Sequence, residues 1–95
     1  MFKNKRYATC GVNARIPLMT QILMWGMIDS LQAVEPDYLQ IFCLSEKNGM
    51  QRIVHEQEQP EYRKEYLFNE VEPVNEKVYV IDSEEYSTML LAEEY

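Results

Sequence analysis

The amino-acid sequence predicts a single small α+β domain over residues 1–95. It should have a mostly antiparallel sheet of four to five strands, with one long helix (about residues 17–33) on a face and a short C-terminal helix. Three observations lead there. Strand-like alternation recurs at residues 5–12, 38–44, 50–57 and 77–82, and the later strands follow one another without crossover helices. Residues 17–33 instead carry apolar side chains at helical spacing. Ninety-five residues, 46% hydrophobic and 26% charged, are enough for one core and too apolar for a disordered chain.

Residues 5–12 alternate Arg6, Ala8, Cys10 and Val12 against Tyr7 and Thr9, and Gly11 marks a bulge or the strand end. Pro17 suits the first turn of the long helix, where its missing N–H has no intrahelical partner to lose. Pro36 stops the helix, because a proline disfavours helix in the residue before it. One apolar arc runs through Met19, Leu23, Met24, Met27, Ile28 and Leu31, the side expected against the sheet. Leu18, Ile22 and Trp25 form a second, narrower stripe on another side.

Both faces of 38–44 are largely apolar, as in a central strand. A turn over Ser45–Gly49, with Asn48 and Gly49 tolerant of positive φ, returns the chain as strand 50–57. Pro60 ends that strand. Residues 61–68 fit either periodicity, and their aromatic content and short length favour a strand. An acidic loop at 69–76 leads to strand 77–82. Asp82, with Glu85 three residues on, has the pattern of a helix cap, and Tyr86, Met89, Leu90 and Leu91 would be that helix's buried stripe.

Charge and composition exclude several classes. Nine bases against sixteen acids give a net charge of −7, which opposes nucleic-acid binding by overall attraction to phosphate. The charge is unevenly placed: residues 1–28 hold four bases and no acid, while 29–95 hold five bases and all sixteen acids, a net of −11. Exposed strands of opposite sign can neutralise one another, or the asymmetry can serve a partner. Three glycines leave no material for a phosphate loop, and two cysteines with one histidine are too few for a soft-ligand zinc site. No metal or cofactor is expected. The longest apolar run, Ile22–Ile28, is too short to cross a bilayer, and no secretory pattern follows Lys3, Lys5 and Arg6, so the expected compartment is the cytoplasm, with Cys10 and Cys43 reduced.

No catalytic constellation emerges. His55 and Glu56 would point to opposite faces of a strand, so they make no dyad, and His55 reads as a half-exposed strand histidine. A hairpin loop over residues 46–49 would set His55 opposite Gln40 rather than Cys43. The glutamate pairs Glu56/Glu58, Glu84/Glu85 and Glu93/Glu94 read as solvated faces. Seven tyrosines and one tryptophan favour contacts, since such rings bury large area and keep a polar tip.

The opening run Met1-Phe2-Lys3-Asn4-Lys5-Arg6-Tyr7-Ala8-Thr9, with Gly11-Val12-Asn13, Ile16-Pro17, Gln57–Tyr62 and Val80-Ile81-Asp82 through Glu94-Tyr95, resembles a family of small proteins of unknown function from Gram-positive bacteria. The resemblance runs over nearly the whole chain. It implies a bacterial cytoplasmic context and no activity or site residue.

The expectation is therefore a small acidic protein without enzymatic activity: a protein–protein interaction module or assembly subunit, a homo-oligomer or partner of another protein, using Leu18, Ile22 and Trp25 as its interface. The alternative is an acidic regulator that occupies a basic, nucleic-acid-binding surface of a partner protein.

Overall fold

The computed structural model describes residues 1–31 and 35–95. Six strands form one sheet: β1 (Lys5–Ala8), β2 (Leu39–Lys47), β3 (Met50–Gln57), β4 (Tyr62–Phe68), β5 (Glu76–Asp82) and β6 (Tyr86–Leu91). Their order is β1-β6-β5-β2-β3-β4, with β1 parallel to β6 and every other pair antiparallel. Two helices, α1 (Cys10–Arg15) and α2 (Leu18–Asp29), lie between β1 and β2 in the chain, and a short 3-10 turn spans Ala92–Glu94.

The sheet thus has one strand more than the upper expectation, and it gains it at the C-terminus. No helix starts at Asp82. Its carboxylate instead accepts the Glu84 amide at 2.8 Å, Glu84 takes a positive φ of 77°, and the Ser83 amide bonds the Tyr86 carbonyl. That tight turn sends the chain back beside β5. Ser87, Met89 and Leu91 then alternate inward as a strand requires, so the expected helical stripe was a strand's two faces read together.

The first predicted strand is shorter than residues 5–12. Thr9 accepts the Val12 amide at 3.2 Å on its hydroxyl and caps α1, so Gly11 is helical rather than a bulge. Ile16 is extended, as the residue before a proline should be, and Pro17 precedes α2 directly. The long helix closes at Asp29, where the Ser30 amide bonds the Gly26 carbonyl. Residues 32–34, which the predicted helix included in part, lie outside the described residues.

The β2–β3 turn is the two-residue Asn48-Gly49 pair, with φ of 53° and 79°. Such a turn matches the right-handed twist of paired strands. Because the loop is two residues rather than four, His55 stands opposite Phe42 and not Gln40. Residues 62–68 are a strand, and β2 is central, flanked by β3 and β5.

One face of the sheet makes the core. Phe42, Leu44, Ile53, Val78, Val80, Met89 and Leu91 meet Met24, Met27 and Ile28 of α2, Val12 of α1, and Phe2. The opposite face carries the ion pairs Arg52–Glu65 and Arg63–Glu56 on β3 and β4. On β2, β5 and β6 it carries half-buried Ile41, Cys43, Tyr79, Ile81 and Leu90.

Both ends of the chain are tied down. The Phe2 amide donates to Asp82 at 2.9 Å, Asn4 donates to the same carboxylate at 3.0 Å, and Ser87 donates to Asn4 at 2.6 Å. Burial works against ionisation of Asp82, but the bonds from Phe2, Glu84 and Asn4 outweigh it and hold its pKa below the usual carboxylate value. Glu94 accepts from the Leu91 amide and the Thr9 hydroxyl, which lowers its pKa, and its carboxylate sits where a Cβ on Gly11 would be, 2.7 Å away. Glu93 pairs with Arg15 at 2.5 Å. Glu94, expected to be merely solvated, is thus part of the lock between the last turn and α1.

Candidate interaction surface

The rotation of α2 decides which of its side chains meet solvent. The predicted buried arc placed Met19 and Leu23 against the sheet. Instead Thr20 and Gln21 are buried with Met24, Met27 and Ile28. Both polar side chains have partners there: Gln21 donates to the Ile16 carbonyl at 2.9 Å and to Asn13, and Thr20 donates to Glu70 of the 69–75 loop at 3.4 Å. A polar group that finds a bond on burial costs little, so the helix can turn toward it.

The consequence is an apolar surface. Leu18 is 69% exposed, Met19 62%, Ile22 52% and Leu23 37%. At about 100° per residue these four occupy one side of the helix, with Gly26 in the middle of that side, one turn further on. A hollow of about 400 Å³ opens over Gly26, lined by Ile22, Leu23, Met27, Ser30 and Tyr66 of β4. Of the three interface residues expected from the sequence, Leu18 and Ile22 stand in this surface. Trp25 is half-buried against the core, with the Arg6 guanidinium 4.8 Å above its ring. Arg6 also donates to the Phe2 carbonyl and pairs with Asp29 at 2.5 Å, and that hydrogen bond holds the Asp29 pKa down. Met19 and Leu23 had been expected against the sheet, and Gly26 was not singled out in the sequence. The missed signal was that Gln21 and Thr20 had bonding partners.

A second, polar cleft of about 480 Å³ lies at the β3–β4 turn, around the cis Gln59–Pro60 bond, and is lined by Glu56, Glu58, Glu61 and Arg63 among others. Behind it runs a chain of buried amides. Gln57 donates to the carbonyls of Glu35 and Pro60 and accepts from the Asp37 amide and from Gln40. Gln40 spends its NH2 on Asp37 and Gln57, at 2.8 Å each, so its oxygen faces His55 Nε2 at 2.6 Å. His55 must therefore donate through Nε2, which leaves Nδ1 as the unprotonated nitrogen. That atom has no hydrogen-bond partner among the described residues. The histidine is fully buried rather than half-exposed, stacked on Phe42 at 4.4 Å, and desolvation lowers its pKa to about 4. Cys43 projects from the opposite face of the sheet, so these two make no nucleophile–base pair.

Among the described residues no group of three or more His, Cys, Asp or Glu side chains is arranged to hold a metal ion, and no helix is long and apolar enough to cross a membrane.

Fold and surface together define a two-layer α+β domain with a six-stranded sheet, a packed helical layer and an apolar helix face turned outward. The chain belongs to the DUF960 family, described as staphylococcal proteins of unknown function, whose model matches residues 5–94. It is similar to a solved protein of unknown function from Enterococcus faecalis, at 25% identity and a TM-score of 0.85, over 97% of this chain and 91% of that one. No curated protein matches.

Proposed function

We propose that this protein is a non-enzymatic protein–protein interaction module or assembly subunit, acting in the cytoplasm, and that it docks through the outward face of α2. The observation that carries this reading is the row Leu18, Met19, Ile22 and Leu23, four large apolar side chains exposed side by side on a 95-residue protein. Contiguous exposed apolar surface opposes solubility and commonly marks a contact site.

The test is the size of the species in extracts of cells that make the protein, fixed with formaldehyde before lysis so that a weak contact survives dilution. Wild type should elute well above its own 11.3 kDa, and Ile22→Glu should return it to the single-chain position. Ile22 is half-exposed, so the variant should retain its fold, with stability within about 0.5 kcal/mol of wild type. Wild type already at single-chain size, or elution unmoved by Ile22→Glu, overturns the reading.

The carboxylates at the β3–β4 turn favour a second reading, the acidic regulator that occupies a basic surface of a partner. Glu56, Glu58 and Glu61 gather around one cleft. A partner held that way dissociates at moderate salt, whereas one held by the α2 face does not.

A further inference from the structure

We infer that the occupant of the α2 face is a second copy of this chain, its α2 antiparallel to the first, with Leu18 and Met19 of each copy seated in the hollow over Gly26 of the other. This deepens the docking reading and rests on it.

Shape is the first argument. Along the exposed side of α2 the N-terminal half is bulky (Leu18, Met19, Ile22, Leu23), and the C-terminal end is small at Gly26 and at Ser30 just past the helix, beside the Arg6-paired Asp29. Antiparallel pairing sets each bulky half against the partner's small end. The two-fold axis then passes beside Ile22 and Leu23, midway between Leu18 and Gly26. A patch complementary to itself in this way closes as a dimer.

Gly26 has no reason within the subunit. Its φ is not positive, and a Cβ built there meets nothing within 4 Å. Glycine in a helix interior is destabilising relative to alanine, so its presence here is unexplained by the fold. It is explained if another side chain must approach the helix backbone at that point. Ser30 is also small and turns its hydroxyl inward to the Gly26 carbonyl at 2.8 Å, keeping the hollow open.

Charge agrees with the orientation. Near the N-terminal end of α2 stand Glu70, bonded to Thr20, and Glu72, beside Pro17. Arg15 in that cleft is already engaged by Glu93 and Glu76. Around the C-terminal end Arg6 is likewise engaged, by Asp29, but Lys3 adds a positive charge beside that pair and Lys64 lies over the Tyr66 ring at the hollow's wall. Antiparallel pairing brings the acidic end of each copy to the basic end of the other, whereas parallel pairing stacks like on like.

Sedimentation equilibrium of the purified full chain, from about 10 μM to 0.5 mM, tests this, since a contact built on one helix is smaller than a standard interface of about 800 Å² per partner. Wild type should approach twice the 11.3 kDa chain mass at the upper concentrations. Gly26→Leu, whose Cβ meets nothing within 4 Å in its own subunit and whose side chain enters the hollow, should weaken self-association roughly tenfold or more and keep the wild-type circular dichroism. If Gly26→Leu loses that spectrum, Ser30→Leu intrudes on the same hollow and carries the same expectation. A single-chain mass across the whole range overturns the second-copy inference. So does a dimer that Gly26→Leu or a folded Ser30→Leu leaves unchanged. A purified monomer that still elutes large in extracts, in an Ile22→Glu-sensitive way, removes the second copy and leaves the docking reading standing.

Discussion

Acidification from pH 7 to pH 4 is expected to remove about 3 kcal/mol of stability through His55 alone. The ring is neutral in the fold because burial against Phe42 and Tyr62 lowers its pKa to about 4, while in the unfolded chain it titrates near 6.5. Between those values the unfolded chain takes up a proton that the folded chain refuses, so stability falls as pH falls. It is complete above pH 6.5 and His55's share is gone by about pH 4. The depressed carboxylates Asp29, Glu65, Asp82 and Glu94 begin to contribute only below about pH 5, as their unfolded forms take up protons, so the interval from 6.5 to about 5 belongs to the histidine. Urea unfolding at several pH values measures this. His55→Phe should flatten the dependence over that interval, at a cost of about 1–3 kcal/mol at pH 7, because Gln40 is left with an unsatisfied buried oxygen. An unchanged slope in His55→Phe contradicts the assignment.

Phe2→Ala is expected to cost about 3–5 kcal/mol, as much as a truncation in the middle of the sheet. Near the start of the chain such a loss would ordinarily be surprising. Yet Phe2 is 1% exposed and sits in the core cluster. Its backbone is held in the left-handed region at φ 65°, with the amide bonded to Asp82 and the carbonyl receiving two bonds from Arg6. Asp82→Ala undoes the same clamp from the other side. Chemical denaturation of both single variants and the double should therefore give a double-variant loss smaller than the sum, since one segment cannot be released twice. Additive losses would mean that the ring and the carboxylate act separately.

What could be read from the sequence divides along physical lines. Local signals were legible. Asn48-Gly49 between two alternating runs announced the β2–β3 hairpin, and Pro17 marked the entry to α2. Residues 62–68 were strand-like in their aromatics, and they became β4. Signals that depend on distant partners were not legible. β1 pairs with β6 across some eighty residues, and nothing near Tyr86 advertises that pairing. The Asp82 carboxylate resembled a helix cap because it does cap a backbone amide, though in a turn rather than a helix. The candidate surface followed the same division. An excess of apolar residues on α2 was plain, but which of them the sheet would hide depended on bonds from Gln21 to Ile16 and from Thr20 to Glu70. The helix turned accordingly, burying two polar residues and exposing Met19 and Leu23.

The central claim is that the outward face of α2, and not the uncovered face of the sheet, is where this protein meets its partner. Photo-crosslinking in living cells separates the two surfaces, with benzoylphenylalanine placed at Ile22 in one strain and at Tyr79 in another. The account predicts a covalent adduct from position 22 and none from position 79. An adduct from position 79 with nothing from position 22 would contradict it.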